Sequence, residues 1–287
     1  MKFVHSVLWR KNNSPVFSVR QLNHFLSSYP DNNFISENFA YVIYDDKPIL
    51  ITKIKDFEQY NDLTWLQKEE IRVLGAISLS ADSIGFFSFF SENRPIYIEV
   101  DNIDEFNLCN PICINNILSF SKDSLKTLTD NYGDEVIRGG KIKNPEYICQ
   151  PEILYTSIDF SNDTLIKSLG YWLKAGMLSK YICFSEEATS LLFFSLEGIL
   201  KLFLEELQRI NPNAGIRDVP RYLMENFNTH EGYGNYIFMC YDLRIDYVHP
   251  HNSGWSSDFE PDDLLETFNV LKDLFFIYLT KNPSIAM

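Results

Sequence analysis

The spacing of the apolar residues changes part-way along the chain. In roughly the first half, short β-branched and aromatic runs alternate with turn residues, a pattern that mixes strand and helix signals. Glycine and proline cluster over residues 139–151, and beyond them the apolar residues recur every three or four positions. We therefore predict an α+β domain over residues 1–150, followed by an all-α helical bundle over residues 151–287.

The first half carries four strand predictions and two helix predictions. Strands are expected over residues 3–9, 39–44, 48–54 and 95–100. Asp45 and Asp46 separate the second strand from the third, so these two are expected to form a hairpin. Ser18 fits the N-cap of a helix over residues 19–26. Helical spacing over residues 64–79 predicts a second helix, with Glu69-Glu70 on a solvated face.

The second half is predicted to consist of helices joined by short loops. The expected helices cover residues 163–173, 185–210, 218–227, 235–248 and 261–279, with Asp163 as the cap of the first. The longest is expected to bury a stripe of Leu192, Leu196, Ile199, Phe203 and Leu207. The helix over 235–248 is expected to bury Tyr236, Met239, Leu243 and Tyr247. Short connections favour antiparallel packing in a bundle.

Charge and composition exclude several classes of partner. Lys and Arg number 25 against 39 Asp and Glu, a net charge of −14, so a broad basic surface for duplex DNA is not expected. No apolar stretch is long and uncharged enough to span a membrane, and the first residues do not read as a signal peptide. Five cysteines without a regular framework indicate reduced thiols, and hence a cytoplasmic protein.

A metal site is not expected. Cys109 and Cys113 have a metal-compatible spacing, but no second Cys or His pair follows nearby, so we interpret the segment as a strand-to-turn with two buried thiols. A metalloenzyme would need ligands such as His249, His251 and Asp258, which do not form a recognisable set. We therefore predict neither a metal nor another cofactor.

One segment combines residues suited to phosphodiester chemistry. Arg244 and His249 are separated by four residues, at positions i and i+5 near the end of a predicted helix, and Pro250 follows. Proline disfavours the α conformation at the preceding residue, so a distorted last turn would let the two side chains converge. Arg offers a fork of donors for a phosphate oxygen, and His moves a proton near neutral pH. Asp246, three residues before His249, and His251 are the supporting candidates.

The second half resembles HEPN domains, especially the ApeA-like branch of prokaryotic defence systems. The shared order is a long apolar helix with an internal acidic residue, Glu197, a shorter helix, a helix ending in the Arg-x4-His motif of Arg244 and His249, and a final amphipathic helix. The resemblance covers about residues 160–280. It implies a metal-independent endoribonuclease, a toxin or antiviral effector, with Arg244 and His249 as the catalytic pair and Glu197 in support.

The resemblance also implies partners. It predicts a homodimer through the helical bundle, an RNA substrate such as tRNA, and an antitoxin or regulatory protein; the first domain would sense a trigger or position the substrate. Ile245 departs from the family, which often has a polar residue, commonly Asn, directly after the Arg. A noncatalytic HEPN-like scaffold that binds proteins is therefore the alternative.

Overall fold

The computed structural model of the chain describes most of its residues and divides it into two compact units. The described residues are 2–4, 15–22, 34–45, 47–55, 66–82, 95–130, 146–147, 149–179, 184–227, 229, 231–248 and 261–281. The first unit takes residues 1–73 and 88–146, and the second takes 74–87 and 147–287. The second unit thus includes residues 74–87, which our boundary after residue 150 placed in the first domain.

The strands and helices follow the predicted order of an α+β region and then a helical region. The strands are β1 (Lys2–Val4), β2 (Val16–Gln21), β3 (Phe34–Ile35), β4 (Phe39–Tyr44), β5 (Lys47–Ile54), β6 (Ala81–Asp82), β7 (Ile96–Glu99) and β8 (Glu146–Tyr147). The helices are α1 (Lys68–Ser80), α2 (Pro111–Asp130), α3 (Pro151–Ser157), α4 (Asp163–Leu178), α5 (Ser185–Gln208), α6 (Val219–Phe227), α7 (Glu231–Val248) and α8 (Pro261–Thr280). An antiparallel sheet followed by a mostly helical region is therefore what the chain forms.

The first unit is built on a six-stranded antiparallel sheet with the order β1-β7-β2-β5-β4-β3. The predicted hairpin is confirmed, since β4 pairs with β5 from Phe39↔Thr52 to Tyr44↔Lys47. Asp45 opens its turn with φ of 49°, a left-handed conformation that Asp tolerates better than most residues. On one face of the sheet, the first half of α2 contributes Ile114, Ile117 and Leu118 to the apolar core.

The helix predicted over residues 19–26 is wrong. Val16 to Gln21 form the strand β2, which pairs with β5 on one side and β7 on the other; residues 23–26 lie outside the described residues. The apolar run around Ser18 favours a strand, and both neighbouring strands supply backbone partners. Ser18 does not cap a helix: its hydroxyl donates to Glu70.

Glu70 is buried, so its placement on a solvated helix face is also wrong. Its carboxylate is completely inaccessible to solvent and accepts four hydrogen bonds. The donors are Ser18 Oγ at 2.8 Å, Arg20 Nε at 3.0 Å, Arg20 Nη2 at 3.1 Å and the backbone N–H of Gln67 at 2.9 Å. The carboxylate thereby joins the start of α1 to β2.

The strand-to-turn interpretation of the Cys109–Cys113 segment is wrong as well. Cys113 lies in the first turn of α2 and is half-buried, and Cys109 is exposed just before the helix. Asn110 accepts a hydrogen bond from the Ile112 N–H at 2.9 Å, and Pro111 occupies the first helical position, so the segment is a helix start. Burial raises the pKa of the Cys113 thiol.

The helical unit centres on α5. The predicted stripe is confirmed for Leu192, Leu196, Ile199 and Phe203, which are buried, and Leu207 is half-buried. α4 is capped by Asn162, whose side chain accepts from Leu165, rather than by Asp163. On α7 the predicted stripe is wrong at Met239, which is 45% exposed, because Ile237 and Cys240 face the core instead.

Two close contacts hold α4 within this unit. Ser195 on α5 donates to the backbone carbonyl of Ser168 at 2.9 Å, and Gly198 faces Ser168 so closely that an added Cβ would collide with its hydroxyl. Trp172 stacks on Phe268 of α8 and donates its indole N–H to the Phe268 carbonyl at 3.0 Å. Within the described residues, no helix is long and apolar enough to cross a membrane.

Candidate functional site

Two of the five predicted site residues have described side chains. Arg244 lies four residues before Val248, the last residue of α7, and Glu197 lies in the middle of α5. Asp246 belongs to α7, but its side chain is outside the description, and His249 and His251 lie outside the described residues altogether. The catalytic assignment of Arg244 and His249 therefore stays a prediction, and its geometry can be examined only from the Arg244 side.

Arg244 and Glu197 form an ion pair between α7 and α5. The distance from Arg244 Nη1 to Glu197 Oε2 is 2.7 Å, although the two residues lie 47 positions apart in sequence. The Arg244 side chain is 16% exposed, while that of Glu197 is 53% exposed. The contact thus brings together a largely enclosed cation and a solvent-facing carboxylate. It joins the two residues that the family resemblance put in one site.

The contact is short but poorly aligned. Arg244 Nη1 is buried, and its N–H bonds make no hydrogen bond of acceptable geometry with any described residue, so the 2.7 Å contact is an ion pair by distance only. The guanidinium carbon lies 5.0 Å from the centroid of the Tyr241 ring, a cation–π arrangement. The ring limits where the guanidinium can move, and the buried donor retains capacity for another acceptor.

A second ion pair on α7 faces elsewhere. Arg217, just before α6, lies 3.5 Å from Asp242, and both side chains are mostly exposed. Asp242 precedes Arg244 by only two positions, and residues at that spacing do not share a helix face. The Arg217–Asp242 pair therefore does not compete with the contact between Arg244 and Glu197. Being exposed, it contributes little to stability.

A buried polar network holds α7 against α8. The hydroxyl groups of Tyr236 and Thr267 lie 2.9 Å apart, and Cys240 Sγ lies 3.6 Å from the same Thr267 oxygen. Burial raises the pKa of Tyr236, which therefore stays a neutral phenol at physiological pH. These contacts fix the helix that carries Arg244. Hydroxyl pairing of this kind leaves no periodic signal, which is why the sequence analysis missed it.

A cavity of about 360 Å³ lies where the start of α7 meets α8. Its lining consists of Tyr233, Leu265, Glu266, Asn269, Val270 and Asp273. Burial raises the pKa of Asp273 to about 6, partly opposed by the neighbouring Lys272. The Tyr233 hydroxyl donates to the carbonyl of Val270 at 3.0 Å. This cavity was not foreseen, since its polar residues look like an ordinary solvated helix face.

Metal-ligating side chains are not grouped in the part of the chain that the structure describes. There, no three or more His, Cys, Asp or Glu side chains come together in a way that could hold a metal ion. The candidate ligands His249, His251 and Asp258 lie outside that part, so the expectation of a metal-free site stays a prediction.

Comparison with protein-family models, with curated proteins and with solved structures finds no match for this chain.

Proposed function

We propose that the helical unit is a HEPN-like, metal-independent endoribonuclease with Arg244 and His249 as its catalytic pair. The observation that carries the proposal is the ion pair of Arg244 with Glu197 at 2.7 Å. It joins the acidic residue of the long helix to the Arg of the Arg-x4-His motif. His249 follows α7 directly, so the proton-transferring group is attached to the same helix as the anion-binding group.

The proposed chemistry uses the RNA's own nucleophile. The 2′-hydroxyl oxygen attacks the adjacent phosphorus while the bond from phosphorus to the 5′ oxygen breaks. Arg244 stabilises the charge that grows on the non-bridging oxygens, and His249 moves a proton on or off the bridging oxygens. The products are a 2′,3′-cyclic phosphate and a 5′-hydroxyl. DNA has no 2′-hydroxyl and is not a substrate.

The cellular setting of the proposal follows the resemblance. The active form is a homodimer through the helical unit, located in the cytoplasm and acting as a toxin or antiviral effector on RNA such as tRNA. An antitoxin or regulatory protein would restrain it. The sheet-containing unit senses the trigger or positions the RNA. Duplex DNA and membranes are not partners, in keeping with the net charge of −14.

The test is cleavage of total RNA by the purified full chain in EDTA, beside Arg244→Ala and His249→Ala variants. The proposal expects cleavage by the wild type only. A labelled RNA with a single 2′-deoxy substitution at the cut position must resist cleavage there. Cutting at that position, or a strict requirement for magnesium, would show that the assigned chemistry is wrong.

The alternative is a noncatalytic HEPN-like module that binds proteins. One observation favours it: the Arg244 side chain is only 16% exposed and already holds a carboxylate, so the ion pair could serve packing alone. Ile245 after the Arg fits the same alternative. In that case the wild type leaves RNA intact in EDTA, and Arg244→Ala lowers thermal stability without changing any RNA-directed activity.

A further inference from the structure

Glu197 contacts Arg244, the residue to which the proposed function assigns the substrate phosphate. The inference that follows rests on the proposed ribonuclease function. In the free protein the carboxylate oxygen lies 2.7 Å from Arg244 Nη1. Carboxylates and phosphates are both recognised by the donor fork of Arg, through charge-assisted contacts of similar length. Glu197 therefore presents to Arg244 the same chemistry as a phosphodiester oxygen.

The two side chains differ in how freely they can move. Arg244 is enclosed on α7 with the Tyr241 ring 5.0 Å from its guanidinium carbon. Glu197 is on the exposed face of α5, and its side chain is 53% accessible to water. Rotating Glu197 towards solvent costs little, because its carboxylate would be hydrated there. An incoming anion can therefore displace the carboxylate while the arginine stays in place.

The preference of Glu197 for Arg244 is not forced by a lack of alternatives. Lys201 lies four residues further along α5, the spacing at which Glu and Lys pair on a helix. Lys201 is exposed, yet within the described residues it forms no ion pair with Glu197, whose carboxylate contacts Arg244 instead. The contact with Arg244 is also misaligned for hydrogen bonding, so the Nη1 donor can gain a better-aligned acceptor when an anion replaces the carboxylate.

We propose that Glu197 is an anionic latch that covers Arg244 in the resting protein and that an RNA phosphate displaces. The latch suppresses binding of weak or non-cognate anions, since only a ligand with further contacts can outcompete a tethered carboxylate. It also restrains the site before substrate arrives. Glu197 is thus a regulatory residue of the proposed site, acting through Arg244. If Glu197 instead supported catalysis directly, removing its charge would weaken RNA binding or slow cleavage.

The test measures binding and cleavage with the full chain. The binding probe is a short single-stranded RNA with 2′-O-methyl groups, which cannot be cleaved by attack of a 2′-hydroxyl, and its Kd is read by fluorescence anisotropy. Glu197→Gln is expected to tighten Kd about 3- to 5-fold, near the upper end for an exposed ion pair. For cleavable RNA, KM falls by a similar factor and kcat does not fall. Glu205→Gln removes the same charge from another exposed position on α5 and is the matched control.

The arginine background separates the latch from a general charge effect. In Arg244→Gln, adding Glu197→Gln is expected to change Kd no more than Glu205→Gln does. Circular dichroism melts check that each variant folds, and Arg244→Met, which keeps a long side chain without its charge, replaces Arg244→Gln if the latter does not. Equal tightening with and without Arg244, or weaker binding and slower cleavage in Glu197→Gln, would overturn the latch.

The latch and the ribonuclease proposal can fail separately. If the wild type cleaves RNA in an Arg244-dependent manner and Glu197→Gln does not tighten binding, only the latch is wrong. If neither the wild type nor Glu197→Gln binds or cleaves RNA, the proposed function is wrong and the latch with it. Cleavage that appears only in Glu197→Gln supports both.

Discussion

Two Arg–Glu pairs among the described residues, one in each unit, differ in how completely the carboxylate is satisfied. In the first unit, Glu70 is inaccessible and accepts four hydrogen bonds, two of them from Arg20. In the second unit, Glu197 is 53% exposed and touches Arg244 Nη1 through a misaligned contact. The same two residue types thus form a closed structural pair in one unit and an open pair in the other.

The difference follows from the cost of burying charge. A fully buried carboxylate must replace its water contacts with protein hydrogen-bond donors. Without them, the carboxylate would be protonated on folding or would stay at the surface. An exposed carboxylate keeps its water and can leave its partner at little cost. The number of donors around each carboxylate therefore indicates which pair holds the fold and which can exchange its partner.

The largest expected effect is on the closed pair. Glu70→Ala leaves Arg20, only 4% exposed, without its carboxylate, and we expect the free energy of unfolding to fall by about 3–5 kcal/mol. Urea unfolding followed by circular dichroism measures it. Glu37→Ala, at an exposed position of the same unit, is the control and should change stability by less than about 0.5 kcal/mol. A loss below about 1 kcal/mol in Glu70→Ala would mean that the Arg20–Glu70 pair stabilises the fold no more than an exposed ion pair does.

The open pair should affect activity far more than stability. Arg244→Ala is expected to slow RNA cleavage about 100-fold or more, because a charge-stabilising contact to the transition state is lost. Its unfolding free energy should fall by about 1–2 kcal/mol, from the lost ion pair and the lost contact with the Tyr241 ring, because Glu197 stays hydrated. Arg221→Ala, at an exposed position on α6, is the matched control for lost positive charge. If Arg244→Ala is destabilised as severely as Glu70→Ala, the two pairs have the same role.

A mostly buried carboxylate, Asp273, extends the comparison. The pKa of Asp273 is about 6 in the folded protein, raised from 3.8 by burial, so the folded state binds this proton more tightly than the unfolded chain. The associated stability is complete below about pH 4 and is lost as the pH rises through 6. Asp273→Asn should therefore be more stable than the wild type at pH 7.5, by about 2 kcal/mol, and the difference should shrink towards pH 4.

The control for Asp273 is Glu266→Gln, which removes a more exposed carboxylate from the same cavity. Thermal melts of both variants at several pH values between 4 and 8 provide the measurement. A stability difference between Asp273→Asn and the wild type that does not depend on pH would mean that folding leaves the pKa of Asp273 unchanged.

The smallest effect concerns the helix that carries Glu197. Gly198→Ala would place a Cβ against the hydroxyl of Ser168 and, at 2.9 Å, against its Cβ, so α5 must move away from α4. We expect a loss of about 1–2 kcal/mol in the unfolding free energy. At Gly215 the nearest atom to an added Cβ is 3.9 Å away, so Gly215→Ala is the control, with little change expected. Equal melting temperatures for the two variants would rule out tight α4–α5 packing.

Local patterns predicted the elements better than they predicted their partners. The apolar stripe of α5 and the β4–β5 hairpin follow from short-range spacing, and both are as expected. Ser18 was misread because its capping potential was considered without the strand-forming residues around it. Glu70 was misread because its side-chain donors, Ser18 and Arg20, are about 50 residues away in sequence. No local pattern reports contacts at that separation.

In the candidate site, too, the sequence indicated single residues better than the contacts between them. Arg244 was singled out by residue chemistry, whereas Glu197 entered through the family resemblance, and their ion pair spans 47 positions. The predicted buried face of α7 is displaced by one residue. The prediction placed the buried stripe on Tyr236 and Met239, whereas Ile237 and Cys240 are the residues that are buried. Periodicity locates a helix, but the packing of its neighbours selects the buried face.

The division of α1 between the two units has a consequence for synthesis on the ribosome. Leu74, Ala76, Ile77 and Leu79 are fully buried, and they belong to the unit that otherwise begins at Tyr147. Gly75 packs directly against Leu169 of α4, a residue translated much later. The nascent chain must therefore carry an uncovered apolar helix end until α4 emerges. During that interval residues 74–80 offer an apolar segment to which a nascent-chain chaperone can bind.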